Sequence, residues 1–516
     1  MSHVLVLGNG PTAHQFAERL RHHGHEGALT VLGTEPGADR HPPSPLSVIE
    51  ALRAPRDLRL PPAPGIRVRT DVVVTGIDRA RRQVRAVTGG AETGGTEIGG
   101  TETVFPYDTL VLALEALPTV PGIPGVTTPD GGLADGVTTL RTAADCDRIT
   151  DGTGGTVVVL GDGARAVETA SALAARGTTT TLVCGGPAPL HERLGDLCGG
   201  MLTEELERAG VTVLGGRTAV RRTPGHLQLD DGTTLRADTL VLCAGATPDV
   251  RLAREAGLDV GTGVGTGVAV DERLRTGDPH IHALGDCAEH DGRAMAGTET
   301  ALEQADALAR ILTGRGTAYR AVPPVLRLRT QAADVSCIGS PADFAQPGTR
   351  LVTLTDRAGR RYARLALRHD RVVGAVLFGL PQATATIGRL HRLRQQLPTD
   401  RLGLLLAWPP RPASDEAAAG GDAVVCLCNS VTEHALHEAW RAGSRTVTAL
   451  ATATRATTGC GGCGGRVRDL CGAWAREPGN ELTERDDPND PNELNGLNGL
   501  NGLNGLNEQN DLKEAS

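Results

Sequence analysis

The sequence predicts an α/β chain of two Rossmann-like units, then a small α+β domain, a small helical Cys-rich module and a disordered tail. Three observations carry this. An apolar run leading into Gly-x-Gly-x-x-Ala occurs at Val4–Ala13 and again at Val157–Ala166. Strand-like runs closed by one helix-like run fill about 318–408, and two close pairs of cysteines fall within 423–474.

At 516 residues the chain can hold three or four compact units, each with its own core. Only 2% of residues are aromatic and the net charge is −9, which argues against a nucleic-acid partner. Residues 476–516 hold ten acids and three bases, so most of that charge belongs to the tail. Lys513 is the one lysine, which excludes Schiff-base chemistry and a Walker-A phosphate loop. No apolar run reaches the roughly 18–20 residues of a membrane helix. The N-terminus has neither a basic flank nor a cleavage site, so a cytoplasmic location with no membrane partner is expected. The 11 cysteines are then expected to be thiols and metal ligands rather than disulfides.

In chain order, His3–Leu7 reads as a buried parallel strand, and Ala13, Phe16, Ala17 and Leu20 share one helical face. Leu29–Leu32 supplies a second strand. Gly65–Asp78 and Arg82–Val87 read as antiparallel strands, and Gly89–Glu102 as a Gly/Thr-rich hairpin tip. Tyr107–Leu114 returns to a buried strand. Val157–Leu160 and Val167–Ala175 form the second strand and helix, and Thr239–Cys243 leads into Ala244-Gly245. Arg350–Leu354, Tyr362–Leu367 and Val372–Phe378 read as sheet strands before the helix-like Thr384–Gln396. Residues 409–422, with three prolines and a Gly-Gly pair, form a linker whose span as a flexible chain is roughly 20 Å. After the Cys-rich module come four Asn-Gly-Leu triplets, read as disordered.

The chemistry follows from four motifs. In Gly8-Asn9-Gly10-Pro11-Thr12-Ala13 the glycines permit a tight turn and close approach of a pyrophosphate to a helix N-terminus. Glu35 lies where a ribose-binding acid belongs. Gly161-Asp162-Gly163-Ala164-Arg165-Ala166 repeats the motif, so two nucleotide cofactors are expected. The next strand ends on Cys184, a poor acceptor for ribose hydroxyls, and Gly185-Gly186 offers no arginine for a 2′-phosphate. NADH and NADPH therefore both stay open. The run Ile281–Ala288 ends a strand on Gly285-Asp286, which sets a carboxylate beside a cofactor. Cys426-Leu427-Cys428 is followed, after thirty-one residues, by Cys460-Gly461-Gly462-Cys463. Four thiolates are what a [2Fe-2S] cluster requires. A zinc site of four cysteines is the alternative, though structural zinc favours wider pairs than Cys-x-Cys. The other cysteines read as small buried hydrophobes.

The order of these motifs, with Ala244-Gly245-Ala246-Thr247-Pro248 between them, resembles the two-dinucleotide-domain flavoprotein reductases. Leu7–Gly10, Asp39-Arg40, Phe105–Asp108, Pro121–Gly125, Val372–Gly379 and Leu397–Leu402 are similar to the flavin part of NAD(P)H nitrite reductase large subunits. The C-terminal cysteines, with Asn429 and Thr458-Gly459, resemble the bacterioferritin-associated-ferredoxin type of domain. This resemblance implies two Rossmann-like dinucleotide-binding domains. The FAD domain spans 1–117 and 246–315, the NAD(P) domain 118–245, the α+β domain 318–408 and the [2Fe-2S] domain 423–474. It also implies that Gly8, Gly10 and Ala13 face the FAD pyrophosphate, Glu35 the ribose, Val74 the adenine and Asp286 the ribityl–phosphate end. Arg40 and Gly245 join the cofactor-binding set. Gly161, Gly163, Ala166 and Glu168 would serve NAD(P)H. Two positions depart from the family pattern: Ala113-Leu114-Glu115 replaces Ala-Thr-Gly, and Cys184 replaces an acid.

The expected function is a two-to-one electron converter, from NAD(P)H through FAD and [2Fe-2S] to a separate reductase. Assimilatory nitrate reductase is the favoured partner and nitrite reductase the rival. A ferredoxin or rubredoxin reductase and a non-catalytic redox or iron-responsive module are the alternatives. No residue of the chain is expected to act as a catalytic acid or base, because flavin and cluster carry the chemistry.

Overall fold

A computed structural model describes residues 2–34, 65–89, 100–151, 155–262, 266–294, 297–320, 325–330, 332–397, 405, 424–426, 431–457 and 463–476. The chain divides into two compact units, Met1–Pro409 and Pro410–Ser516. Among the described residues no helix is long and apolar enough to cross a membrane.

The first lobe of the larger unit is a five-stranded parallel sheet. Its spatial order is Ile281–Ala283, Thr109–Leu112, Val4–Leu7, Leu29–Leu32 and Arg67–Arg69. Val4–Leu7 is buried on both faces, which is why its four residues are all apolar. On one face Ala13, Phe16, Ala17 and Leu20 of helix Pro11–His22 pack with Ala305, Leu308 and Ala309 of helix Thr298–Leu312. On the other, Val72, Val84 and Ala86 of an antiparallel three-stranded sheet cover Leu5, Leu7, Leu110 and Leu112.

The expected single strand Gly65–Asp78 is in fact two. Arg67–Arg69 belongs to the parallel sheet, Asp71 takes a positive φ of 59°, and Val72–Asp78 starts the antiparallel layer. The break lets one stretch of chain serve both faces of the core.

The chain leaves this lobe at Ala116–Pro118 and returns at Ala246–Pro248, two short strands that pair antiparallel. Between them lies a second parallel sheet, in the order Val211–Gly215, Thr179–Cys184, Thr156–Leu160, Thr239–Leu242, Val137–Thr139. Helices Ala164–Ala175 and His191–Arg208 cover one face, and a three-stranded antiparallel sheet covers the other.

A third lobe is a five-stranded antiparallel sheet, in the order Val325–Arg329, Asp334–Ile338, Arg371–Phe378, Arg361–Arg368, Arg350–Asp356. One face packs under helix Pro381–Arg392. That helix starts three residues before the expected Thr384, because Pro381 fits the first helical position, where no N–H is needed. Val335, Cys337, Tyr362 and Phe378 of the other face share one core with Leu173, Leu194 and Cys198 of the second lobe.

The smaller unit pairs Val424–Cys426 with Val431–Thr432 ahead of three helices, Glu433–Arg441, Val447–Thr454 and Gly464–Ala475. The side chains of Thr432 and Thr446 accept the Ala435 and Ala449 N–H groups at 3.1 Å, capping the first two helices. Trp440 is fully buried among Leu436, Leu450, Val467 and Trp474. The expected linker 409–422 and the tail beyond 476 lie outside the described residues.

Candidate functional site

The first glycine turn follows directly from the buried strand. Gly8 donates its N–H to Leu32 O at 2.9 Å and takes a φ of +110°. A Cβ there would collide with the Ala113 carbonyl, so conformation and space both require glycine. Gly10 caps helix Pro11–His22 without a side-chain hydrogen bond, which leaves the first N–H groups of the helix for a ligand. Ala13 is fully buried between helix and sheet. Asn9 is buried in the same turn; its Oδ1 meets His14 Nε2 at 2.8 Å, while its Nδ2 has no partner among the described residues.

Glu115 sits over this turn, its carboxylate in the space a Cβ of Gly10 would take. An anion at an uncapped helix N-terminus is what the partial positive charge there attracts. The first turn thus fits a dinucleotide pyrophosphate: backbone donors, an orphaned amide and a close approach that only glycine permits. Glu115 is exposed and its carboxylate is the far end of a flexible side chain, so it can make way.

Asp286 is brought to the same place. Its neighbour Gly285 takes a φ of +76°, lies over Thr12 of the glycine-turn helix and donates its N–H to Gln304 Oε1 at 2.7 Å. Arg141 Nη2 donates to Asp286 Oδ2 at 3.2 Å, joining the first lobe to the second.

The second turn opens on a cavity of about 610 Å³ lined by Gly161, Asp162, Gly163, Arg165, Arg141 and Gly245, among others. Gly161 approaches the Cys243 carbonyl too closely for a side chain, whereas space above Gly163 is open. Helix Ala164–Ala175 starts from Gly163 with no side-chain cap, so its N-terminus faces the cavity. Arg165 Nη1 donates to Leu140 O at 2.9 Å; burial first, then the nearby Arg141 charge, push its pKa down. Two guanidiniums and a helix N-terminus around one cavity suit a pyrophosphate. Ala166 is buried in the core below, and Glu168, nearly as buried, lies near Arg165.

The other expected residues are less drawn together. Val74 lies half-buried in the antiparallel layer, beside a bulge between Val74 and Gly76. Glu35 and Arg40 lie outside the described residues, as do Cys428 and Cys460. Cys426 and Cys463 are both buried and share one core. Cys463 caps helix Gly464–Ala475, and its Sγ accepts the Thr457 N–H at 3.2 Å. A backbone donor aimed at sulfur and a helix N-terminus at the same residue favour a thiolate ligand, so this pair fits an anionic cluster.

Sequence reasoning missed Arg141, which stands in no motif and reaches both lobes only through the fold. Arg165 and Asp162 were visible inside the second motif, but nothing local showed which way they point. The remaining described cysteines, Cys146, Cys184, Cys198, Cys243, Cys287, Cys337 and Cys471, are buried. Burial is the main cause pushing their thiols up, to about 11 for Cys184 and Cys243 and about 12 for Cys146 and Cys287. Thiol–disulfide exchange needs an accessible thiolate, which none of these supplies.

Residues 2–306 match the family described as pyridine nucleotide-disulphide oxidoreductase, and residues 424–472 match the BFD-like [2Fe-2S] binding domain. The chain is 30% identical over 429 residues to a nitrite reductase NAD(P)H large subunit of Klebsiella oxytoca, covering 81% of this chain and 42% of that protein. It is 25% identical over 481 residues to an assimilatory nitrate reductase electron transfer subunit of Bacillus subtilis, covering 90% of this chain and 59% of that one. A solved ferredoxin reductase from Rhodopseudomonas palustris matches with a TM-score of 0.66 at 24% identity, over 77% of this chain and 96% of that one. The chain thus spans about half the length of the nitrite and nitrate reductase relatives it matches, 42–59%.

Proposed function

Because the chain belongs to the pyridine nucleotide-disulphide oxidoreductase family and carries a BFD-like [2Fe-2S] binding domain, we propose that it passes electrons from NAD(P)H to an assimilatory nitrate reductase on another polypeptide. FAD held at the first glycine turn would supply the chemistry that matches a two-electron nicotinamide donor to a one-electron iron–sulfur carrier.

The chain's own part is to place the carriers. Gly8 and Gly10 would seat the FAD pyrophosphate, with Asp286 beside it. Gly161, Gly163 and Arg165 would hold the nicotinamide nucleotide in the second cavity, with Gly245 and Arg141 at its wall. The Arg141–Asp286 bond at 3.2 Å spans the two lobes, so the two ligands would meet along one interface. Cys426, Cys428, Cys460 and Cys463 would hold the cluster.

One observation carries the reading: a buried Cys426–Cys463 core stands in its own compact unit, on the same chain as a body with two glycine-turn sites. A reductase that only delivered electrons to a free ferredoxin would not need its own cluster. The name of the Bacillus subtilis relative supports nitrate reductase as acceptor; that of the Klebsiella oxytoca relative supports nitrite reductase. Anaerobic titration of the purified protein with NADH and NADPH, followed optically, is expected to bleach flavin and then cluster. Adding a molybdenum-cofactor nitrate reductase with nitrate, or a sirohaem nitrite reductase with nitrite, then identifies the acceptor by which reoxidises the protein. Reoxidation by nitrite reductase alone reassigns the partner. A flavin that neither nucleotide reduces leaves only the non-catalytic reading.

A further inference from the structure

The end of strand Thr179–Cys184 is where an adenosine ribose would lie. That strand runs parallel and adjacent to Thr156–Leu160, whose glycine turn fixes the pyrophosphate, and the ribose projects over the neighbouring strand end. The residue ending the strand there is Cys184. It is buried, and its Sγ points to Gly186 O at 3.6 Å.

A carboxylate nevertheless occupies the spot. Asp162, the middle residue of Gly161-Asp162-Gly163, reaches across to the next strand. Its Oδ2 accepts the Gly185 N–H at 3.2 Å and its Oδ1 the Gly186 N–H at 3.0 Å. Each oxygen spends one acceptor site in this way and keeps another. Asp162 and Gly185 both line the cavity.

We propose that Asp162 is the carboxylate that receives the adenosine ribose hydroxyls, and that it makes this site select NADH over NADPH. The inference rests on nicotinamide-nucleotide use as read above and adds which nucleotide is taken and by which residue.

One guanidinium lies at the same end of the cavity. Arg217 donates its backbone N–H to Cys184 O at 3.1 Å, and its side chain lines the cavity. That side chain is held by Asp231, Nε to Oδ2 at 2.7 Å, and its Nη1 donates to Gly216 O at 3.2 Å. The charges of Asp162, Asp231 and Arg217 thus sum to one negative. A 2′-hydroxyl can donate to that carboxylate. A 2′-phosphate, carrying about −1.5 to −2 charges and only acceptors at neutral pH, is repelled by it. Because two backbone N–H groups pin the carboxylate, turning away to admit the phosphate would break both bonds.

The test reads binding directly. Dissociation constants of the FAD-loaded protein for NAD⁺ and NADP⁺ are measured by calorimetry, beside anaerobic flavin reduction by NADH and NADPH. The wild type is expected to prefer the NAD form by tenfold or more, about 1.4 kcal/mol per tenfold. Asp162→Asn keeps an acceptor toward the glycine N–H groups and removes the charge. It is expected to bring the two constants within about threefold, mainly by tightening NADP⁺, since the like-charge repulsion is what it removes. Unchanged flavin content and melting temperature confirm that the variant is folded. The proposal is overturned if the wild type binds both nucleotides equally, prefers NADP⁺ or binds neither. It is also overturned if Asp162→Asn leaves the ratio where it was, or if Arg217→Ala, rather than Asp162→Asn, sets it. Should NADH bind selectively yet fail to reduce the flavin, the oxidoreductase reading falls while the assignment of Asp162 stands.

Discussion

Glu115 stands where the sequence resemblance implies a glycine. Its carboxylate lies over Gly10, at the N-terminus of helix Pro11–His22, in the path by which a pyrophosphate approaches. FAD binding must then displace one anion from the helix end before another settles there. Such contacts are worth about 0.3–1 kcal/mol at an exposed helix terminus. Glu115→Gly is therefore expected to tighten FAD about twofold to fivefold, with Glu115→Gln recovering most of that gain. Quenching of flavin fluorescence on adding FAD to the deflavinated protein measures both. Weaker binding in the glycine variant would mean that Glu115 supports the flavin instead of competing with it. The departure itself was legible in Ala113-Leu114-Glu115, but its consequence was not. Residues 113–115 carry no sign of the distant Gly10 until the two parallel strands Val4–Leu7 and Thr109–Leu112 lie side by side.

At the scale of elements, the strand Ile281–Ala283 that leads into Gly285-Asp286 buries a histidine. His282 is 5% exposed, and its Nδ1–H donates to Leu274 O at 3.2 Å. Burial lowers its pKa from 6.5 to about 4, against smaller opposing effects of backbone carbonyls and Asp271. The folded protein keeps this ring neutral where the unfolded chain would protonate it. Between about pH 6.5 and pH 4 the unfolded state therefore binds more protons, and stability falls as the pH falls through that window. Above pH 6.5 this group contributes no pH dependence. The full effect is at most about 3 kcal/mol, because each tenfold change in proton affinity is worth roughly 1.4 kcal/mol. Urea unfolding of the wild type and His282→Asn between pH 7 and 5 checks this. The asparagine keeps an N–H for Leu274 O and cannot titrate, so its midpoint should fall less with acid. Equal acid sensitivity in the two proteins would assign the effect to other groups. Strands such as Val4–Leu7 were legible because a parallel strand buried on both faces needs an unbroken apolar run. The boundary at Asp71 was not, since one strand-like stretch there feeds two sheets and only the tertiary layers decide where it breaks. The glycine turns were legible for a local reason, since close backbone approach demands glycine within a few residues. Arg141 and the reach of Asp162 depend on strands brought together by the fold, and no spacing in the sequence encodes them.

At the scale of the whole molecule the chain is two compact units, and the proposed electron path must pass from one to the other. Two experiments separate their contributions. Cys463→Ser removes a sulfur that accepts the Thr457 N–H and is expected to lose iron and acid-labile sulfide while FAD stays bound, because the glycine turns lie in the other unit. Stoichiometric zinc without labile sulfide in the anaerobically purified wild type would replace the cluster with a structural metal. The second experiment cuts the chain at about Gly420, inside the Pro-rich segment. The larger unit closes its own cores, with the third lobe completing the core of the second, so it should remain folded without the C-terminal unit. Its flavin should still be reduced by NADH at the wild-type rate, since both glycine turns, Arg141 and Asp286 are retained. Delivery of electrons to nitrate reductase should fall to background, because reduced flavin would have no one-electron relay at the partner. Supplying the separately expressed C-terminal unit should restore only a concentration-dependent part of the rate. Being on one chain gives the two units an effective concentration for each other that a free module at micromolar levels cannot match. Full-rate nitrate reduction by the larger unit alone would take the cluster off the path.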